Sequence, residues 1–237
     1  MPDLHVAPGQ RLACVGRTDS GKSVLARAVF KSESGRKVVV DPFDSEGTDD
    51  VGEQDTVHEV SQIDWARFDT WRVVPSREHL GDWQWYSDLY EFLFDSAPVL
   101  IWTDEASRVT TSNRIPMGVD LVQSQGRKRK VTHIICATRP ARVHGSLWSQ
   151  ADHWAVFRLR WPADKDAVGS AMGQTPSEFQ ADQDRLSHHG FVWYDTKGDR
   201  KILVPKGLPL DVVRQVEAKV PRPVETVDST PQPTGGK

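Results

Sequence analysis

The stretch CVGRTDSGKSVLARAVF, residues 14–30, starts apolar, crosses a short polar loop and resumes with apolar residues at helical spacing. Leu12-Ala13-Cys14-Val15 suits a buried strand, and Val24, Leu25, Ala28 and Val29 recur as on one helix face. Between them, Gly16-Arg17-Thr18-Asp19-Ser20-Gly21-Lys22-Ser23 fits the pattern G-x-x-x-x-G-K-[ST] at every fixed position. Glycines let the backbone curl so that successive N–H groups converge on an anion, and the following helix adds its positive end. The pattern predicts a phosphate-binding P-loop, with Gly16, Arg17, Thr18, Asp19, Ser20, Gly21, Lys22, Ser23 and Val24 around ATP. Lys22 is expected on the β- and γ-phosphates and the Ser23 hydroxyl on Mg²⁺.

Binding a nucleotide is not hydrolysis, which needs acids and a polar sensor. "PVLIWTDEA" supplies Val99-Leu100-Ile101-Trp102 as a buried strand ending in Thr103-Asp104-Glu105. Acids at the carboxyl end of a parallel strand fall where such sheets bind ligands. Asp104 is expected to share the Mg²⁺ with Ser23, and Glu105 to accept a proton from the attacking water. "HIICATRPAR" places Thr138 at the end of a second buried strand, as a sensor for the γ-phosphate or its water.

The remaining chain alternates strands with helices: "KVVVD", "WRVVP", "HWAVFRL" and "GFVWYD" alternate with helical patterns around Gln84–Phe94, Val119–Gln125 and Asp164–Ala171. That alternation predicts an α/β fold, a mostly parallel, doubly wound sheet flanked by helices. A length of 237 residues suffices for one large core, expected over 1–220. The Pro-, Thr- and Gly-rich segment 221–237 is expected to be a flexible tail. With no run of eighteen apolar residues and no signal-peptide pattern, no membrane span is expected, and the expected location is the cytoplasm. Cys14 and Cys136 both sit in apolar runs and read as buried reduced thiols. Eight histidines show no zinc-ligand spacing, and most of the nine tryptophans have the apolar neighbours of packing anchors.

The order of P-loop, apolar strand with Asp-Glu, then apolar strand with "ATRP" resembles the FtsK–HerA superfamily of ring-forming, DNA-pumping ATPases. The strand-end Asp-Pro of "VVVDPFDSEG" and the continuation "ARVHGSLWSQADHWAVFRLRWPADKDAVGSAMG" are similar too, so the likeness spans about residues 10–207. Thr138 stands where that family commonly has Gln. The resemblance implies a RecA-like P-loop fold, a homo-oligomeric ring (pentamer or hexamer) and double-stranded DNA as partner. It also places Arg127 of "GRKRK", or its neighbour Arg129, as the arginine that reaches the adjacent subunit's γ-phosphate. A chain little longer than the motor itself resembles viral genome-packaging ATPases, which dock on a portal or capsid-vertex protein. Its place is then the host cytoplasm or the virion. Motors for conjugation or repair, or a P-loop assembly switch without translocation, are the alternatives.

A net charge of −3 shows no basic excess, yet residues 106–142 carry Arg108, Arg114, Arg127, Lys128, Arg129, Lys130, Arg139 and Arg142 against the single acid Asp120. Such clustering is the footprint of a phosphate-binding surface, although solvated charged faces look alike. In "ASRVTTSNRIP", directly after the acids, Arg108 and Arg114 are the expected DNA contacts, gripping the backbone without reading bases.

Overall fold

Among the described residues, nine strands form one sheet in the order β3-β4-β2-β5-β6-β1-β7-β8-β9. The structure, a computed structural model, describes residues 6–45, 47–48, 56–198 and 200–209. The expected tail 221–237 and the end of the expected domain, 210–220, lie outside them. The strands are β1 (Arg11–Val15), β2 (Lys37–Val40), β3 (Thr56–Val57), β4 (Thr70–Val73), β5 (Val99–Thr103), β6 (Val131–Ala137), β7 (His153–Phe157), β8 (Phe191–Asp195) and β9 (Arg200–Val204). The helices are α1 (Lys22–Ser32), α2 (Trp83–Asp95), α3 (Met117–Gln125), α4 (Gly145–Ser149), α5 (Pro162–Ala171) and α6 (Pro176–Asp184). Strands β1 to β7 are mutually parallel, while β7–β8 and β8–β9 pair antiparallel.

Side-chain alternation along the central strands fills two cores, one on each face. Ala13, Val15, Val99, Ile101, Val131 and Ile135 point to one face, where α2 and α3 cover them with Tyr86, Leu89, Tyr90, Leu93, Val119 and Val122. Leu12, Cys14, Leu100, Trp102, Ile134 and Cys136 point to the other, under Leu25, Ala26, Val29 and Phe30 of α1. The Phe30 and Trp102 rings lie 5.8 Å apart. Cys14 and Cys136 are register neighbours on β1 and β6 and are free buried thiols, as expected from their apolar setting.

"GFVWYD", grouped with the parallel strands in the sequence, runs antiparallel as β8, and the reason is the second helix after β7. Gln183, near the end of α6, accepts from Leu159 N (2.7 Å) and donates to Phe157 O (3.4 Å). The chain is therefore delivered back to the exit end of β7, and the next strand can only run the other way. The chain order around β1 creates the binding crevice. From β1 the chain crosses to β2, three places away on one side, whereas β6 leads across β1 to β7 on the other. Where strand order diverges in this way, the carboxyl ends of β1 and β6 frame a cleft.

Candidate active site

The loop after β1 enters this cleft. Asp19 (φ 59°) and Gly21 (φ 100°) both take the left-handed conformation that curls it. Gly16 is required by space: a Cβ there would lie 2.5 Å from Phe157 Cβ. The loop is tied down by Gly16 N donating to Ala137 O (3.2 Å) and Arg17 N donating to Arg158 O (3.3 Å). The N–H groups of Gly21, Lys22 and Ser23 head α1 with no acceptor among the described residues, as helix starts do. Lys22 Nζ, mostly buried, donates to Arg17 O (2.9 Å). Burial lowers its pKa, offset in part by the facing carboxylates Glu105 and Asp104. A buried cation beside free N–H groups is a site for a polyanion.

Asp104 follows β5, and Ser23 Oγ donates to its Oδ1 across 3.4 Å. Burial pushes the Asp104 pKa up to about 6, with Asp41 and Glu105 adding to the rise and Lys22 and Ser23 opposing it. A carboxylate so destabilised beside a hydroxyl is a pair of hard oxygen donors whose charge a divalent cation would balance, so these residues fit Mg²⁺. Asp41, buried at the end of β2, accepts from Phe43 N (3.0 Å), Ser45 N (2.6 Å), Thr48 Oγ1 and Arg72 Nη2 (2.7 Å). Arg72 also pairs with Asp44 (2.8 Å). The sequence marks Asp41 only through the Asp-Pro likeness, and Arg72 not at all, because its partner lies 31 residues away.

Glu105 takes the left-handed conformation (φ 60°), which turns its side chain off the line of β5 toward β6. Its Oε2 accepts from Thr138 N (3.0 Å) and Thr138 Oγ1 (2.5 Å), and its Oε1 from Ser107 Oγ (2.6 Å). Because β6 lies between β1 and β5, its end carries Thr138 to this acid. The acids and P-loop thus share one cleft of about 1370 Å³, lined by Thr18 through Val24, Asp104, Glu105 and Thr138. Arg108, Arg139 and Arg142 line it too, as do Phe157 and His189, the latter two without any local sequence signal. Gly16 and Arg17 belong to the loop but not to the lining.

The other basic candidates stand elsewhere. Arg108 stacks over Phe43 (4.5 Å) inside the cleft, whereas Arg114 stacks over Trp83 (4.5 Å) beside a separate cavity of about 540 Å³. The structure does not bring the two together at one site. Arg127 precedes β6, so it stands at the opposite end of the parallel strands from the P-loop, about 20 Å away at ~3.3 Å per residue. Its guanidinium binds buried Asp152 (2.5 Å) and is 46% exposed. Arg129 pairs with Asp95 (3.0 Å) and stacks on Phe94 (4.6 Å). Among the described residues no helix is long and apolar enough to cross a membrane.

No protein-family model matches the chain, and no curated protein matches it. Solved structures do. The genome-packaging NTPase B204 of Sulfolobus turreted icosahedral virus 2, in complex with ATP-γ-S, superposes with a TM-score of 0.69 at 18% identity, covering 86% of this chain and 100% of that one. EssC (ATPases 2 and 3) from Geobacillus thermodenitrificans gives 0.52 at 12% identity over 88% of this chain and 42% of its own. EccC (ATPases 2 and 3) from Thermomonospora curvata gives 0.51 at 11% identity over 84% and 37%. The fold of this chain is the P-loop NTPase fold expected from the sequence, and these neighbours share it.

Proposed function

We propose that the chain is an ATPase that drives double-stranded DNA through a homo-oligomeric ring of five or six subunits, as a viral genome-packaging motor. The observation that carries hydrolysis is the Glu105 carboxylate, fixed by Thr138 and Ser107 in the cleft that holds the P-loop. A switch that only binds nucleotide has no use for an oriented carboxylate there. Fold likeness to a packaging NTPase along that protein's entire length supports the motor reading over the alternatives in conjugation and repair.

In this reading the loop N–H groups and Lys22 hold the triphosphate, with Gly16 to Val24 wrapping it. Ser23 and Asp104 hold Mg²⁺, which supplies charge neutralisation on the phosphate oxygens. Glu105 takes the proton of the attacking water, and Thr138 positions Glu105 for it. Arg127 serves the neighbouring subunit's γ-phosphate, because its own site is at the far end of the sheet. Such a finger neutralises charge that develops in the transition state. Arg108 and Arg114 contact the DNA backbone, a portal or capsid-vertex protein provides the platform, and the motor works in host cytoplasm or on the virion.

The test is the ATPase rate with and without duplex DNA, measured alongside mass in solution. Stimulation of a ring-sized species is expected. A DNA-indifferent rate overturns translocation, and a rate indistinguishable from zero overturns the ATPase. Replacing Arg108 and Arg114 together by Ala is expected to weaken DNA binding at all sequences alike. It should also flatten its salt dependence by about one unit of log–log slope per lost phosphate contact. An unchanged slope removes both residues from the DNA interface.

A further inference from the structure

The cleft has a second half that the phosphate chemistry does not use. In the sheet β5 lies on one side of β1, with Asp104 and Glu105 at its end, and β7, β8 and β9 lie on the other. A triphosphate whose terminal phosphate faces the acids must leave its nucleoside on the β7–β9 side. There the cleft is walled by Phe157, His189, Leu208 and Pro209. A Cβ on Gly21 would lie 3.4 Å from Phe157 Cε1 and 3.8 Å from His189 Nδ1, so this wall begins at the P-loop itself.

The wall is built from two segments held together by backbone. The turn before β8 donates from Ser187 N to Pro205 O (3.0 Å), at the exit of β9. A Cβ on Gly190 would stand 2.4 Å from Pro205 O, and one on Gly207 (φ 81°) 2.5 Å from His189 O. Only residues without side chains allow that approach. His188 contacts Arg17 of the P-loop, which fixes the turn from the other side. The outcome is an exposed imidazole facing the cleft beside the half-buried apolar Leu208.

We infer that the His188–His189 turn and the Lys206–Pro209 strap form the nucleobase subsite of this cleft, with the His189 ring and the surfaces of Leu208 and Pro209 against the flat face of the base. Flat aromatic bases gain most from such a wall, by stacking and by desolvation of the apolar strap. The inference rests on the nucleotide-binding reading above and adds what selects a nucleotide over a bare polyphosphate.

Calorimetric titration of the full chain with ATP and with inorganic tripolyphosphate, both with Mg²⁺, separates the two. The double variant His189→Ala/Leu208→Ala is expected to bind ATP about tenfold more weakly while its tripolyphosphate affinity stays at the wild-type value. That retained affinity also reports an intact P-loop. Equal losses for both ligands, or no loss for either, overturn the subsite alone. A wild-type chain that binds neither ligand overturns the nucleotide site, and the subsite with it. The single variant His189→Ala, at an exposed position, provides the second measurement. Triphosphate of 2-aminopurine riboside is expected to be quenched on binding the wild type and less so on binding this variant. Equal quenching also overturns the assignment.

Discussion

Lys22 and Glu105 act on different stages of the proposed reaction, and substitution separates them. Lys22→Ala removes the buried cation of the P-loop and is expected to abolish ATP binding in an equilibrium titration. Glu105→Gln keeps the loop and is expected to bind ATP yet lose turnover by about 10²–10⁴-fold. Wild-type turnover in Glu105→Gln would remove the general base from the scheme. A third residue tests the core instead. His133 is buried in a chain of side chains: its Nδ1 accepts from Gln123 Nε2 (2.5 Å), its Nε2 bonds Thr103 Oγ1 (2.7 Å), and Tyr90 lies beyond Thr103 (2.5 Å). Burial lowers its pKa to about 3, with the Arg11 charge adding to the effect. As pH falls below ~6.5, the unfolded chain binds a proton at this histidine that the folded chain refuses. Its contribution is therefore complete above that pH and is lost progressively toward about pH 3, at up to about 1.4 kcal/mol per pH unit. Urea midpoints between pH 7 and pH 4 should fall more steeply for the wild type than for His133→Gln; parallel curves contradict the assignment.

At the level of elements, the contact between α2 and α3 depends on the absence of one side chain. Gly118 N donates to Ser87 Oγ (2.9 Å), and a Cβ at Gly118 would stand 2.1 Å from Ser87 O. The two helices cover one face of the central strands, so separating them loosens the packing of Leu89, Leu93 and Val122 over the sheet. Gly118→Ala is expected to destabilise the fold by about 1–3 kcal/mol, read as a lower denaturation midpoint. A gain, as from the usual helical preference for Ala over Gly, would show that the helices adjust freely. The sequence marks α2 and α3 by periodicity, but nothing local in "PMGVD" tells a packing glycine from a weak helix start. α6 lacks the apolar periodicity of α2 and α3, because "PSEFQADQD" offers one large apolar residue, Phe179; the Thr175–Glu178 capping box and Pro176 mark its start locally, and its place is settled by Gln183 bonding to the end of β7.

The whole molecule raises the question of shared sites. Arg127 is held by Asp152 at the end of the sheet remote from its own P-loop, so any catalytic duty requires a neighbour. Arg127→Ala is expected to bind ATP with wild-type affinity, since Lys22 and the loop are intact, and to hydrolyse it poorly. Lys22→Ala subunits keep the arginine, whereas Arg127→Ala subunits keep the pocket. Equal mixtures of the two inactive proteins should therefore regain part of the ATPase rate in rings that contain composite sites. Mixtures that co-assemble and stay inactive exclude a shared site built on Arg127.

What the sequence determined by itself was everything whose cause is local. The strand, loop and helix of residues 12–30 follow from apolar spacing and from glycines where the backbone must curl, and the acids follow their strand directly in "WTDEA". The mostly apolar run "THIICAT" likewise identified a buried strand without its neighbours. Tertiary structure alone decided which strand lies between which. That order sets Thr138 against Glu105 from 33 positions away, Asp41 against Arg72 from 31, and the strap after β9 against the P-loop. Arg108 and Arg114, six residues apart in one basic loop, are parted by different aromatic partners, Phe43 and Trp83. Periodicity specifies which face of an element is buried. It carries no information about the partner that buries it, because any apolar face lowers its free energy against any other, and the choice is made by chain connectivity and by close contacts between distant residues.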